Sequence, residues 1–118
     1  MRSIGELTAR EQHLIALVES VGGTTEEKYA SIENLNIFEE YKVIHSEYAD
    51  LCETSLEALK RAVFLVWYVC AEPPCYTGLN YLDPEAISKT MLTLNDYLLN
   101  DMADAELKWM LRHYFVWD

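Results

Sequence analysis

The sequence predicts an all-α fold: a compact bundle of four long helices plus one short helix, with an ordered connecting segment over 72–83. Three observations carry this expectation. Four glycines and three prolines in 118 residues leave few breakers and few tight turns, which favours long elements over many short strands. Hydrophobic residues make up 51% of the chain, more than a disordered chain carries. Helix-start signals recur, and the apolar residues after them repeat at helical spacing. At this length the chain is one helical domain, 1–118, able to bury roughly two-thirds of its unfolded surface without disulfides or metal.

Thr8-x-x-Glu11 matches a capping box, in which the Thr side chain accepts a free backbone N–H and the Glu reaches back to the cap. It predicts a first helix over 8–20 with Leu14, Ile15, Val18 and Val21 on one face. Glu11 falls inside that stripe and is assigned to the cap rather than to the core. Gly22-Gly23 ends the helix. Thr24-x-x-Glu27 starts a short helix from Thr25 that carries Tyr29, Ile32 and Leu35, and Asn34-Leu35-Asn36 breaks it.

The helix over 37–52 is amphipathic. Phe38, Tyr41, Ile44, His45, Tyr48, Leu51 and Cys52 fall on one side, and Glu39, Glu40, Glu47, Asp50 and Glu53 on the other. Thr54-x-x-Glu57 introduces a helix over 55–71. Its stripe of Leu56, Leu59, Val63, Val66, Trp67 and Cys70 widens until every position from Ala62 to Ala71 is apolar or aromatic. A helix apolar all round is covered on several sides, so this one is expected at the core of the bundle. Pro73 and Pro74 stop it, and Gly78 permits a turn. Tyr76, Leu79, Tyr81 and Leu82 are too apolar for a free loop, so 72–83 is expected to cover one end of the bundle. Asp83-Pro84 starts a helix over 84–99 with Ile87, Met91, Leu94 and Leu98 on one face. Asn100 and Asp101 end it. Asp104 caps a last helix over 105–117 that carries Leu107, Met110, Leu111, Tyr114 and Trp117.

Twenty Asp and Glu against nine Lys and Arg give a net charge of −11. Nucleic-acid binding relies on a surplus of Lys and Arg that this chain lacks, and docking on an anionic membrane is disfavoured for the same reason. The longest apolar run, 62–71, is too short to span a bilayer, which takes about 20 residues. The N-terminal region carries Glu6 and Glu11 and has no signal-peptide pattern, so the chain is expected to be cytoplasmic. Cys52 and Cys70 sit in apolar helical patterns and read as small core residues. Cys75 stands near Glu72 rather than near a base, which reads as an inert thiol.

No metal or cofactor is expected, and no residue is singled out as catalytic. A di-iron bundle needs Glu-x-x-His pairs, but Arg10, Lys42 and Met110 stand three residues before His13, His45 and His113. HExxH, GxSxG and phosphate-cradling glycine loops are absent as well. The histidines read as a solvated His13, a hydrogen-bonded core His45 and a partly exposed His113.

The negative charge is concentrated. Residues 26–57 hold nine acids against Lys28 and Lys42, a local −7. Such a face repels itself on folding and speeds encounter with a basic partner. Glu39, Glu40, Glu47 and Asp50 are therefore the candidate partner-binding residues for a small acidic interaction domain that binds a basic protein surface. In size and acidity the chain resembles immunity proteins, the small inhibitors that neutralise toxin nucleases. That resemblance is one of type, carried by no motif, and it too implies a basic protein partner. The alternative is a small-molecule-binding bundle, either a plain binder or an enzyme, with a pocket between the 55–71 helix and the 72–83 segment. Trp67, Glu72, Tyr76 and Tyr81 are its candidate ligand-binding residues. The aromatic stretch Tyr114-Phe115-Val116-Trp117 suits a dimer contact as well as the core, which leaves the oligomeric state open.

Overall fold

The computed structural model describes residues 2–115. Val116 and Trp117, assigned above to the last helix and to a possible dimer contact, lie outside the described residues. The described chain folds into seven helices: α1 (Ile4–Ser20), α2 (Thr25–Asn34), α3 (Ile37–Leu51), α4 (Leu56–Ala71), α5 (Pro74–Thr77), α6 (Pro84–Leu99) and α7 (Ala105–Phe115). No strand occurs among the described residues. The four long helices of the expected bundle are α1, α3, α4 and α6, with α2, α5 and α7 shorter.

The starts of α1, α2, α4, α6 and α7 follow capping chemistry, but two of them use different residues from those expected. The box at α1 is Ser3 with Glu6, one turn before Thr8. The Thr8 hydroxyl instead donates to the Ile4 carbonyl (2.9 Å). This shift frees Glu11 from any capping role and places it on the inner face, 3% exposed. At α4 the cap is Ser55, which accepts from the Ala58 N–H, while Thr54 donates to the Leu51 carbonyl. The Thr24–Glu27 box, the Asp83 cap followed by Pro84, and the Asp104 cap form as expected. Two chain reversals use short polar residues in the left-handed region, Asn36 before α3 and Asp101 after α6. At Asp101 the Met102 N–H bonds the Tyr97 carbonyl and the Asp101 N–H bonds the Leu98 carbonyl, so two carbonyls at the end of α6 are satisfied.

Two apolar clusters share α4 as a wall. Ala58, Ala62 and Leu65 face the first, with Leu7, Leu14 and Val18 of α1, Ile32 of α2, the inner face of α3, and Leu79 and Leu82. Leu59 and Val63 face the second, with Leu94 and Tyr97 of α6 and Leu107 and Met110 of α7. The enclosure expected for the whole of α4 holds only for its N-terminal part. Val66, Trp67, Tyr68 and Val69 are half-buried, and Cys70 and Ala71 are exposed, so Cys70 is not the core residue its pattern suggested. The aromatic residues of this half cover one another: Phe64 stacks on Tyr68 at 5.0 Å and Trp67 on Tyr114 at 4.4 Å. Cys52 and Cys75 are buried. Of the α2 residues expected inside, only Ile32 is buried; Tyr29 and Leu35 are exposed.

The segment 72–83 packs down through Cys75, Thr77, Gly78, Leu79 and Leu82, and includes the single turn α5. Gly78 makes this possible. It adopts φ +80, and a Cβ there would stand 2.8 Å from a methyl of Ile37 and 2.8 Å from a methyl of Val18. Only a residue without a Cβ lets the segment lie against both α1 and α3. Gly78→Ala is therefore expected to cost about 3 kcal/mol of stability, from left-handed strain and overpacking together. Chemical denaturation checks this, and a loss below about 1 kcal/mol would refute the close fit.

Candidate functional site

Each of the four acids proposed for partner binding meets a group from another part of the chain. The Arg2 guanidinium bonds Glu47 at 2.6 Å and holds its carboxyl below the ordinary range. Arg10 pairs with Glu40. The Tyr81 hydroxyl donates to Glu39 at 2.8 Å. Asp50 lies 3.8 Å from Lys89, which is also 3.8 Å from Glu53. The counter-charges missing from α3 itself thus arrive from the N-terminal segment, α1 and α6. Partly exposed pairs of this kind contribute about 1 kcal/mol or less each. The apolar residues Leu7, Leu14 and Val18, at about 1.5–3 kcal/mol apiece, do more to hold α1 in place. What the pairs change is the electrostatics: Glu40 and Glu47 are largely neutralised, while Asp50 and Glu53 stay more exposed at the α6 edge.

The four residues proposed for a small-molecule pocket are not gathered in one cleft. Trp67 stacks on Tyr114, and its Nε1 is buried with no hydrogen-bond partner among the described residues. Glu72 is exposed. Tyr81 turns to Glu39, with Lys42 over its ring at 5.7 Å. Tyr76 does border a cleft of about 170 Å³ between α1, α3, α4 and α5. The inward carboxylate of that cleft is Glu11, not Glu72.

Glu11 is the functional candidate that the sequence reading missed. Its Oε1 accepts a 2.7 Å hydrogen bond from the Tyr48 hydroxyl. Burial raises its carboxyl pKa, against smaller downward pulls from the Tyr48 bond and the charge of Arg61. The same burial and the nearby Glu11 push the Tyr41 phenol up. The position of Glu11 in the apolar stripe was the available signal. It was read as a cap because the residue that does cap the helix lies one turn upstream.

A second missed feature is the outward face of α6. The expected inner stripe of Ile87, Met91, Leu94 and Leu98 is turned by roughly a quarter turn about the helix axis. The buried residues are Ala86, Thr90, Thr93, Leu94 and Tyr97. Met91 and Leu98 are exposed, together with Leu92 (66%), Leu99 (75%) and Met102. The polar core position His45 accounts for the turn. Thr90 gives its hydroxyl proton to the Ala86 carbonyl (2.8 Å), so toward His45 Nε2 (3.3 Å) its oxygen can only accept. Thr90 is thus the side-chain partner of the buried His45 ring, and the Ala62 backbone also bears on it. A leucine or methionine in place of Thr90 would take away the side-chain partner of His45 Nε2.

The remaining histidines are surface residues. His13 is exposed, and His113 stacks on Trp109 at 4.7 Å. Among the described residues no group of three His, Cys, Asp or Glu is placed to hold a metal ion, and no helix is long and apolar enough to cross a membrane. No protein-family model matches the chain, and comparison with curated proteins and with solved structures gives no significant match.

Two pH effects of opposite sign follow. Burial lowers the His45 pKa from 6.5 to about 4, with the Ala62 backbone and Asp83 pulling less strongly the other way. Between those values the unfolded chain binds a proton that the folded chain does not, so stability falls as pH falls from 6.5 to about 4, by roughly 3 kcal/mol in full. Denaturation over that range together with NMR titration of His45 checks it; a His45 that titrates near 6.5 contradicts it. Glu11 runs the other way. Its raised pKa means that the folded chain keeps a proton the unfolded chain has lost, so its ionisation destabilises the fold as pH rises above the ordinary carboxylate range. Gln can still accept from Tyr48. Glu11→Gln should therefore raise Tm at mildly alkaline pH, and the gain should vanish in acid. A lower Tm at alkaline pH would show the carboxylate to be favourable after all.

Proposed function

We propose that this chain is a protein-interaction domain that binds a basic protein through the outward face of α6. The observation that carries the reading is the exposure of Met91, Leu92, Leu98 and Leu99 on one side of a single helix whose opposite side is packed, with Met102 exposed just beyond the helix end. Isolated exposed apolar residues need no explanation, but a stripe of four within about two turns of one helix is what a docking helix face carries.

Charge selects the partner. Glu85 and Asp96 flank the stripe on one side, close in angle to Lys89, and Lys89 lies beside Asp50 and Glu53 of the α3 end. An apolar strip with an acidic edge complements an apolar ridge flanked by Lys or Arg. A second copy of the chain is a poor occupant, because two molecules of net charge −11 repel. The α3 acids keep a supporting role: Asp50 belongs to this edge, whereas Glu40 and Glu47 are committed to Arg10 and Arg2.

The test is affinity capture from the source organism at low and high salt, comparing the natural chain with Leu92→Asp/Leu99→Asp and with Glu85→Lys/Asp96→Lys. A basic protein retained by the natural chain at low salt, and held about tenfold less by each variant, is expected. Equal retention by all three chains removes the reading. So does a stable homodimer that Leu92→Asp/Leu99→Asp dissolves, since the stripe would then serve self-association.

A further inference from the structure

The cleft between α1, α3, α4 and α5 joins two features that rarely occur together by packing alone. Its inner end carries Glu11, a carboxylate 97% removed from solvent by the count of its 3% exposure. A carboxylate offers about four acceptor positions, and among the described residues only one is used, by Tyr48. Its walls include Tyr41, Phe64 and Tyr68, with Tyr76 and a second carboxylate, Glu19, among the lining. No Lys, Arg or His lines the cleft. Arg61 is near enough for its charge to reach Glu11, but its guanidinium bonds Glu57 at 3.3 Å.

We propose that this cleft binds a small organic ammonium ion, with Glu11 as counter-charge and the rings of Tyr41, Phe64 and Tyr68 as its walls. The chemistry selects this class. A buried carboxylate without a cation is costly, and a cation supplied by a ligand removes that cost. Aromatic walls attract ammonium groups that carry alkyl substituents, because the ring quadrupole favours the charge and the ring surface favours the methyls. An anion would meet Glu11 and Glu19 and be repelled, and an uncharged alcohol would leave the carboxylate uncompensated. The volume of about 170 Å³ has room for roughly six water-sized atoms, the size of a choline or a short alkylamine. Tyr76, whose ring already has Lys28 over it at 5.3 Å, serves as rim rather than wall. The site is separate from the α6 face, so either reading can fail without the other.

Amide NMR titration of the full chain with choline, against its uncharged carbon isostere dimethylbutanol at constant ionic strength and mildly alkaline pH, tests the site. Choline is expected to bind with a Kd on the order of a millimolar or tighter, shifting resonances around Glu11, Tyr41 and Tyr68, and at least about tenfold more tightly than dimethylbutanol. Glu11→Gln should abolish that preference while leaving the rest of the spectrum in place. Tyr68→Leu keeps the carboxylate, so it should weaken choline several-fold and spare dimethylbutanol. Absence of choline binding at millimolar concentration, equal binding of the isostere, or a preference that survives in Glu11→Gln each overturns the proposal.

Discussion

The inner face of α3 has to be covered along its whole length, and most of the molecule is arranged to cover it. Ile37, Phe38, Tyr41, Ile44, His45, Tyr48 and Cys52 are all nearly or wholly inaccessible, although they sit on one helix of only four turns. No single neighbour can cover so wide a stripe, so α1, α4 and α6 close on it from different sides, and the Gly78 segment closes the remaining end beside Ile37 and Tyr41. Two polar groups on this face then dictate details in its neighbours. Tyr48 needs an acceptor and finds Glu11 on α1; the buried His45 ring needs a polar partner and finds Thr90 on α6. Each of these requirements displaces apolar residues elsewhere.

That displacement links the core to the surface. Because α6 presents Ala86, Thr90 and Thr93 to the core beside Leu94 and Tyr97, Met91, Leu92, Leu98 and Leu99 are left facing outward. Because α1 turns Glu11 inward, a carboxylate ends up at the floor of an aromatic cleft. The two candidate sites are therefore consequences of the same buried polar contacts. Both carry a cost in the isolated chain, since exposed leucines and a desolvated carboxylate are each unfavourable. A bound partner or ligand would offset that cost.

The charge distribution has a similar logic. Along the chain, α3 is an acidic strip with almost no bases between the acids, and a solvated strip of this kind would repel itself. In the fold, Arg2 before α1, Arg10 of α1 and Lys89 of α6 come from distant parts of the chain to sit beside Glu47, Glu40 and Asp50. The strip is thereby divided into a neutralised part facing α1 and a freer acidic edge beside α6.

By itself, the sequence determined the helical class, the extents of α2, α3, α4 and α6 to within a residue or two, the inner face of α3, and the packed-down 72–83 segment. These depend on local chemistry: caps, breakers and one strong stripe at helical period. Only the tertiary structure decided which face of α6 is buried, that Glu11 rather than Glu72 is the inward carboxylate, that the C-terminal half of α4 is half-covered, and which acids are paired. α6 is apolar around much of its circumference, so its periodicity could not choose a face; the polar demand of His45 did. Glu11 was hidden because Thr8-x-x-Glu11 and Ser3-x-x-Glu6 satisfy the same capping rule, and helix length, set by packing of Leu7 against the core, selected the second. The ion pairs that Arg2 and Arg10 make with α3 join residues 30 or more positions apart, and no local pattern records them.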